Sequence, residues 1–190
     1  MRGRPRTQFG RTAIRLLLGV AAFLSACSAQ KEVQEVQMTE TGRYLFECTL
    51  EAKETYVIGE PVNLRFSLHN QTDRTLYVLT WYTPLEGIAG EIFRVTRDGD
   101  EVPYRGILAK RGDPSRDEYV AVEPGAAVSA AVDLAEGYDL SQAGRYHVEF
   151  TSRLHDVTDD GTVIPRKRDD HQPQELPCNA VSFEIVEPDN

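Results

Sequence analysis

Cysteine and histidine are scarce, three and four among 190 residues. Metal and thiol chemistry therefore have few side chains to draw on. Positive charge is also short. Lys and Arg total 21 against 30 Asp and Glu, a formal net charge of −9. That balance argues against a nucleic-acid binder, which needs basic patches to meet phosphate. No HExxH, GxSxG, GxGxxG or P-loop pattern occurs, so the common signatures of zinc, serine-nucleophile and nucleotide chemistry are missing. No long amphipathic helix can be traced. The length suits one domain and excludes a barrel enzyme of about 250 residues. Within those bounds the composition, 41% hydrophobic and 27% charged, is that of an ordinary soluble globular protein.

What is present begins with an address. Arg2, Arg4, Arg6, Arg11 and Arg15 form a basic flank without acids, and an apolar run follows from Leu16 to Leu24. As a helix that run spans only about 14 Å, too little for a bilayer core of about 30 Å. A basic flank before a short apolar run predicts a secretory signal over residues 1–26. Leu24-Ser25-Ala26-Cys27 resembles the lipobox of bacterial lipoproteins. There the small residues fit the peptidase and the thiol takes a diacylglycerol, a step that needs the strongest nucleophile near neutral pH. On this reading Cys27 becomes the first mature residue. It carries acyl chains such as palmitate and anchors the protein to a membrane, since two or more chains hold stably where one does not. The alternative is an ordinary cleaved signal with a chance match. Ser28 in place of Asp implies outer-membrane sorting if the cell is Gram-negative, and otherwise a lipid-anchored place in the cell envelope. Removing five arginines leaves 16 basic against 30 acidic residues, a mature net charge of −14.

Cys48 and Cys178 remain. An even pair in an exported chain predicts a disulfide, here between the first strand (Tyr44 to Leu50) and the last (Cys178 to Val186), with two buried thiols as the alternative. Residues 27–42 are polar and aperiodic and read as a flexible tether.

From residue 43 to 188 the pattern is that of strands. Val62, Leu64, Phe66 and Leu68 alternate with Asn63, Arg65, Ser67 and His69, the period of two expected of a half-buried strand. Leu76 to Trp81 has little polar interruption and reads as central. Ile92 to Thr96 runs into Asp98-Gly99, a hairpin signal. Tyr119–Val122 and Val128–Val132 flank the turn Glu123-Pro124-Gly125. Tyr146, Val148 and Phe150 alternate, as do Val181, Phe183 and Ile185. About eight short strands separated by turns predict an all-β, immunoglobulin-like antiparallel β-sandwich. The stretch Tyr138 to Tyr146 looks like a tyrosine corner, in which a phenol bonds upstream backbone. Residues 155–177 form a charged excursion of low apolar content, expected to be a long loop outside the core.

Candidate chemistry is sparse. His155 with Asp156, Asp159 and Asp160, and Asp169-Asp170-His171, could converge on a cation, but acidic loops of this kind are ordinarily just solvated; no metal and no cofactor is expected. The segment that stands out is Trp81, Thr83, Pro84, Leu85, Glu86 and Gly87, with Tyr104, Lys110 and Arg111 further on. Aromatic and basic groups in an acidic chain make a candidate binding surface. The alternative is a loop folded over the sandwich end to plug the core.

The same residues carry a resemblance. Thr83-Pro84-Leu85-Glu86-Gly87, Phe93-x-Val95-x-Arg97-Asp98-Gly99, Pro103-Tyr104-x-Gly106-Ile107, Val122-x-Pro124-Gly125, Tyr138-Asp139-Leu140-Ser141 and Gly144-x-Tyr146 are similar to the amino-terminal β-sandwich region of deuterolysin-type (peptidyl-Lys) metalloendopeptidases. In that family a protease domain with an HExxH zinc motif follows, and no such motif stands in these 190 residues. The resemblance therefore implies the fold and a habit of meeting proteins, and no zinc ligand carries over. A looser likeness, through Gly59-Glu60-Pro61-Val62-x-Leu64 and Asn70 to Asp73, is to a small proteinase-inhibitor domain of bacilli. The expected function is a lipid-anchored, non-catalytic envelope module of immunoglobulin-like fold that recognises a protein partner, such as a secreted protease. The alternative is an inhibitor or prodomain-like partner of a secreted metalloprotease.

Overall fold

The computed structural model describes residues 44–188. The signal segment, Cys27 and the tether over 27–42 lie outside the described residues. Eleven strands alternate with short 3-10 turns: β1 (Phe46–Glu51), β2 (Thr55–Val57), β3 (Asn63–Asn70), β4 (Leu76–Leu79), β5 (Phe93–Arg97), β6 (Asp100–Glu101), β7 (Tyr119–Val122), β8 (Ala127–Asp133), β9 (Gly144–Phe150), β10 (Val157–Thr158) and β11 (Val181–Val186). They build an all-β, immunoglobulin-like sandwich. One sheet has the order β1-β3-β8, a second β2-β11-β9-β5-β6, and a small third β10-β4-β7. The strand pairs are antiparallel except where β2 joins β11 in parallel, and Cys48 of β1 makes a further parallel bridge to Cys178.

The period of two fixes which face turns inward. Val62, Leu64, Phe66 and Leu68 are all buried, while Asn63 and Arg65 face out. Tyr146, Val148, Phe183 and Ile185 close the opposite wall, and Tyr146 stacks on Phe183 with ring centroids 5.5 Å apart. The strands beyond the expected eight are mostly two or three residues long, too short to display any periodicity. β4 is the central strand of its sheet, as its unbroken apolar run predicts.

Turn chemistry follows the sequence closely. Asp98 and Gly99 both have positive φ, 53° and 96°, the backbone required by a tight hairpin between twisted strands. Asn70 is fully buried; its amide donates to the carbonyls of Arg74 and Val122, each at 2.8 Å, and its oxygen accepts from Thr72 N at 2.9 Å. One side chain thus closes the turn between β3 and β4 and ties it to β7. The Tyr146 hydroxyl donates to Gln142 O at 2.8 Å, the bond that a tyrosine corner requires. Cys48 and Cys178 are disulfide-bonded with Cα atoms 4.7 Å apart. Cys178 stands just before β11 rather than opening it, so the bridge ties the edge strand of one sheet to the segment entering the other.

The charged excursion differs from expectation. Val157, Ile164 and Leu176 are buried, β10 pairs with β4, and Leu154 and Gln174 exchange backbone bonds at 3.0 and 2.9 Å. The segment can pack because its charge is answered internally. Asp156, fully buried, accepts from Arg166 Nη2 at 2.6 Å and Nε at 3.0 Å, from the Tyr119 hydroxyl at 2.7 Å and from Gln172 N at 2.7 Å. A buried carboxylate with this many donors is tolerated where a bare one would not be.

Candidate functional site

Two connections meet at the end of the sandwich beside the third sheet: residues 80–92, between β4 and β5, and residues 102–118, between β6 and β7. In the first, Thr83 caps the 3-10 turn Pro84–Glu86. Its hydroxyl donates to Thr80 O at 2.7 Å and accepts from Leu85 N at 3.2 Å. Gly87 closes the turn at φ 89°, a conformation that favours glycine. Trp81, Thr83 and Pro84 are buried, and Leu85 packs partly against the core. Trp81, Thr83 and Pro84 thus pack as a plug over the sandwich end, with Leu85 half-buried beside them. Trp81 shares a small apolar cluster with Leu79, Tyr119 and Ile164 under the third sheet.

Arg111 locks the second connection onto the first. Its guanidinium lies 5.1 Å from the Trp81 ring and 5.7 Å from the Tyr82 ring. It donates to Glu86 Oε2 at 2.6 Å and sits 3.7 Å from Glu118 Oε1. The Arg111 and Glu86 side chains are only 17% and 12% exposed, so this is a nearly dry ion pair resting on two aromatic faces. Among the described residues the Nε of Arg111 has no hydrogen-bond partner. Burial pushes the Glu86 carboxyl above the usual carboxylate range, against the pull of the Tyr82 N–H and Arg111. Glu118 is held below that range, first by the backbone N–H of Ser115 and then by the Trp81 indole, which donates at 2.6 Å.

Between these anchors the second connection stands out from the body. At its entry Tyr104 bridges to Tyr138, Arg105 N donates to Gly137 O at 2.8 Å, and the Tyr104 hydroxyl donates to Ile107 O at 2.6 Å. At its exit Ala109 N donates to Ala89 O at 3.0 Å, and Arg168 donates to Arg111 O at 3.0 Å. In the middle, Ile107 is 68% and Leu108 75% exposed. Lys110 is exposed next to them, and Tyr104 is half-buried beneath. Of the residues singled out from the sequence, Tyr104, Lys110 and Arg111 therefore belong to this loop, and Glu86 of the first connection holds it through Arg111. Ile107 belongs to the Pro103-Tyr104-x-Gly106-Ile107 motif, and Leu108 follows it; neither is among the candidate contact residues of the sequence. Their signal was an apolar pair between Gly106 and a basic residue, with no periodicity to give it a face.

A cleft of about 440 Å³ opens on the far side of Tyr82, lined among others by Glu91, Arg153, His155 and Glu175. The His155 ring tilts over Tyr82 with centroids 4.8 Å apart. Burial, aided by Arg153, holds its imidazole below the ordinary histidine value. The acidic residues suggested for a cation do not converge. Asp156 faces Arg166, Asp159 pairs with Arg74 at 2.8 Å, and Asp160 accepts from Thr162. Among the described residues no group of three metal-ligating side chains is placed to hold an ion.

No family model matches the chain. It is 30% identical over 136 residues to an extracellular protease of Aeromonas hydrophila, covering 70% of this chain and 37% of that protein. It is 26% identical over 149 residues to a neutral protease 2 homolog of Arthroderma gypseum, covering 77% and 37%. Solved structures with a similar outline include a cohesin module of a Clostridium perfringens glycoside hydrolase, at 10% identity and TM-score 0.30, covering 76% of this chain and 99% of that one. Another is the CARDB domain of a Pyrococcus furiosus protein, at 9% identity and TM-score 0.29, covering 75% and 94%. At these scores the fold rests on its own strands. The chain spans little more than a third of the length of these curated relatives, and is related to a part of extracellular and neutral proteases.

Proposed function

We propose that this protein is a lipid-anchored, non-catalytic binding module of the cell envelope. It is held at the membrane through Cys27 and recognises a protein partner through the loop that carries Ile107 and Leu108. What supports this reading is a single observation: two adjacent aliphatic side chains are 68% and 75% exposed on a loop fastened at both ends. A pinned loop meets a partner without first losing conformational freedom, and exposed apolar anchors supply the contact energy. The test is affinity capture from envelope extract with the full chain and with an Ile107→Ser/Leu108→Ser variant. A partner retained by the first and lost by the second supports the reading. Identical captures would sink it.

A second reading is an inhibitor or prodomain-like partner of a secreted metalloprotease. The relatives favour it, being named as proteases that share this region. Purified full chain would then slow such a protease at stoichiometric amounts, and undiminished cleavage at excess chain would count against it.

A further inference from the structure

The loop leaves one other surface unexplained, the free edge of β8. Val62 O accepts from Leu134 N at 3.0 Å and Ala126 O accepts from Asn70 N at 2.9 Å. With the register Leu64↔Val132, Phe66↔Ala130 and Leu68↔Val128, the even-numbered residues of β8 turn their backbone groups toward β3. Alternation then turns those of Ala127, Ser129 and Ala131 outward. β8 ends its sheet. The 3-10 turn Pro84–Glu86 lies against β8 but takes none of these bonds; no backbone partner for them occurs among the described residues.

Among the other edges, β1 is covered, β7 is four residues long and the rest are shorter still. Along β1, Leu50 N donates to Asn179 Oδ1 and Asn179 Nδ2 donates to Leu50 O, each at 2.9 Å, behind the disulfide. β6 is two acidic residues, β10 is two residues, and β2 is three. β8 runs Ala127-Val128-Ser129-Ala130-Ala131-Val132-Asp133 with no proline or glycine, and its one charge stands at the end, where Asp133 accepts from Val62 N at 3.0 Å. A long, regular edge with charge only at its end is what folded proteins ordinarily avoid unless something pairs with it.

We propose that the β8 edge pairs antiparallel with β8 of a second copy of this chain, about a two-fold axis at Ser129. The edge is self-complementary in that register. Ser129 faces Ser129 of the other copy, and Ala127 faces Ala131, so each outward residue exchanges both its N–H and its C=O. Their outer-face side chains are small and exposed, so neighbouring sheets can approach to strand spacing. Asp133 falls opposite Gly125, which places no carboxylate against another. The result is one continuous six-stranded sheet, β1-β3-β8 joined to its copy.

The test is cysteine cross-linking of the full chain in detergent under mild copper-phenanthroline oxidation, read on non-reducing gels. Ser129→Cys gives a dimer above the parent background. Thr49→Cys, in line with Ser129 but two strands away, does not. Adding Ala131→Lys, which puts a long charged side chain on the pairing edge, lowers the dimer yield roughly tenfold, while circular dichroism stays that of a β protein. Equal yields from Thr49→Cys and Ser129→Cys, or no Ser129→Cys dimer, would overturn the proposal. So would an adduct of Ser129→Cys with a different protein in envelope extract, which assigns the edge to a partner strand.

Discussion

At the scale of single residues, Arg111 decides most. It joins the two connections by charge and by its flat face, and both are nearly out of water. Arg111→Met leaves the Glu86 carboxylate buried without its partner and should destabilise by about 3 kcal/mol, read as a shift of the urea midpoint. Arg111→Lys keeps the charge and loses the stacking, a loss of about 1 kcal/mol. Adding Glu86→Gln to Arg111→Met should recover part of the deficit, because the two groups are coupled. His155 sets a pH dependence. Its folded value is depressed by burial, whereas an unfolded histidine titrates near ~6.5. As pH falls through that value the unfolded chain takes up the proton first, so stability present above it is lost on the way down to the folded pKa. Melting temperature should drop between pH 7 and 5, and His155→Phe should flatten that drop.

At the scale of elements, regular features were legible and irregular ones were not. β3 showed itself because four apolar residues alternate without a break, and the β5–β6 hairpin because Asp98-Gly99 can adopt positive φ. The tyrosine corner was legible because it depends on a local spacing: Tyr146→Phe should lose about 1 kcal/mol, the worth of one hydrogen bond. The plug was less legible. Trp81 reads equally as a contact or as core until Glu118, 37 positions away, is seen to accept a hydrogen bond from its indole N–H. The 155–177 segment misled for a similar reason. Its acids and bases look solvated one by one, and only the fold brings Arg166 onto Asp156. The apolar pair at Ile107 and Leu108 went unweighted because exposure is a property of the tertiary structure. Ile107→Ser and Leu108→Ser should leave stability within about 0.5 kcal/mol, since neither side chain is packed, and that is what makes them clean probes of binding.

At the scale of the whole molecule, the described residues are held by a main core, a smaller apolar cluster around Trp81 and one covalent tie. The disulfide joins residues with a sequence separation of 130. Replacing both with alanine should lower stability by at most about 4–5 kcal/mol in the loop-entropy picture, with the β-sheet circular dichroism signal retained in the cold. The proposed membrane anchor belongs to this scale too. Cys27→Ser should release the protein from the membrane fraction, and retention of that variant would remove the lipid from the account.

The tie between Cys48 and Cys178 also bears on mechanics. A pull applied across the flanks of the domain enters through β1 and leaves through β11. It finds a short covalent route through two sulfur atoms in parallel with the entire intervening chain. Tension takes the stiff path. The loop closed by the bridge cannot lengthen, so roughly 450 Å of chain, at about 3.5 Å per residue, would be withheld from extension however hard the flanks were stretched, until a reductant cut the bypass.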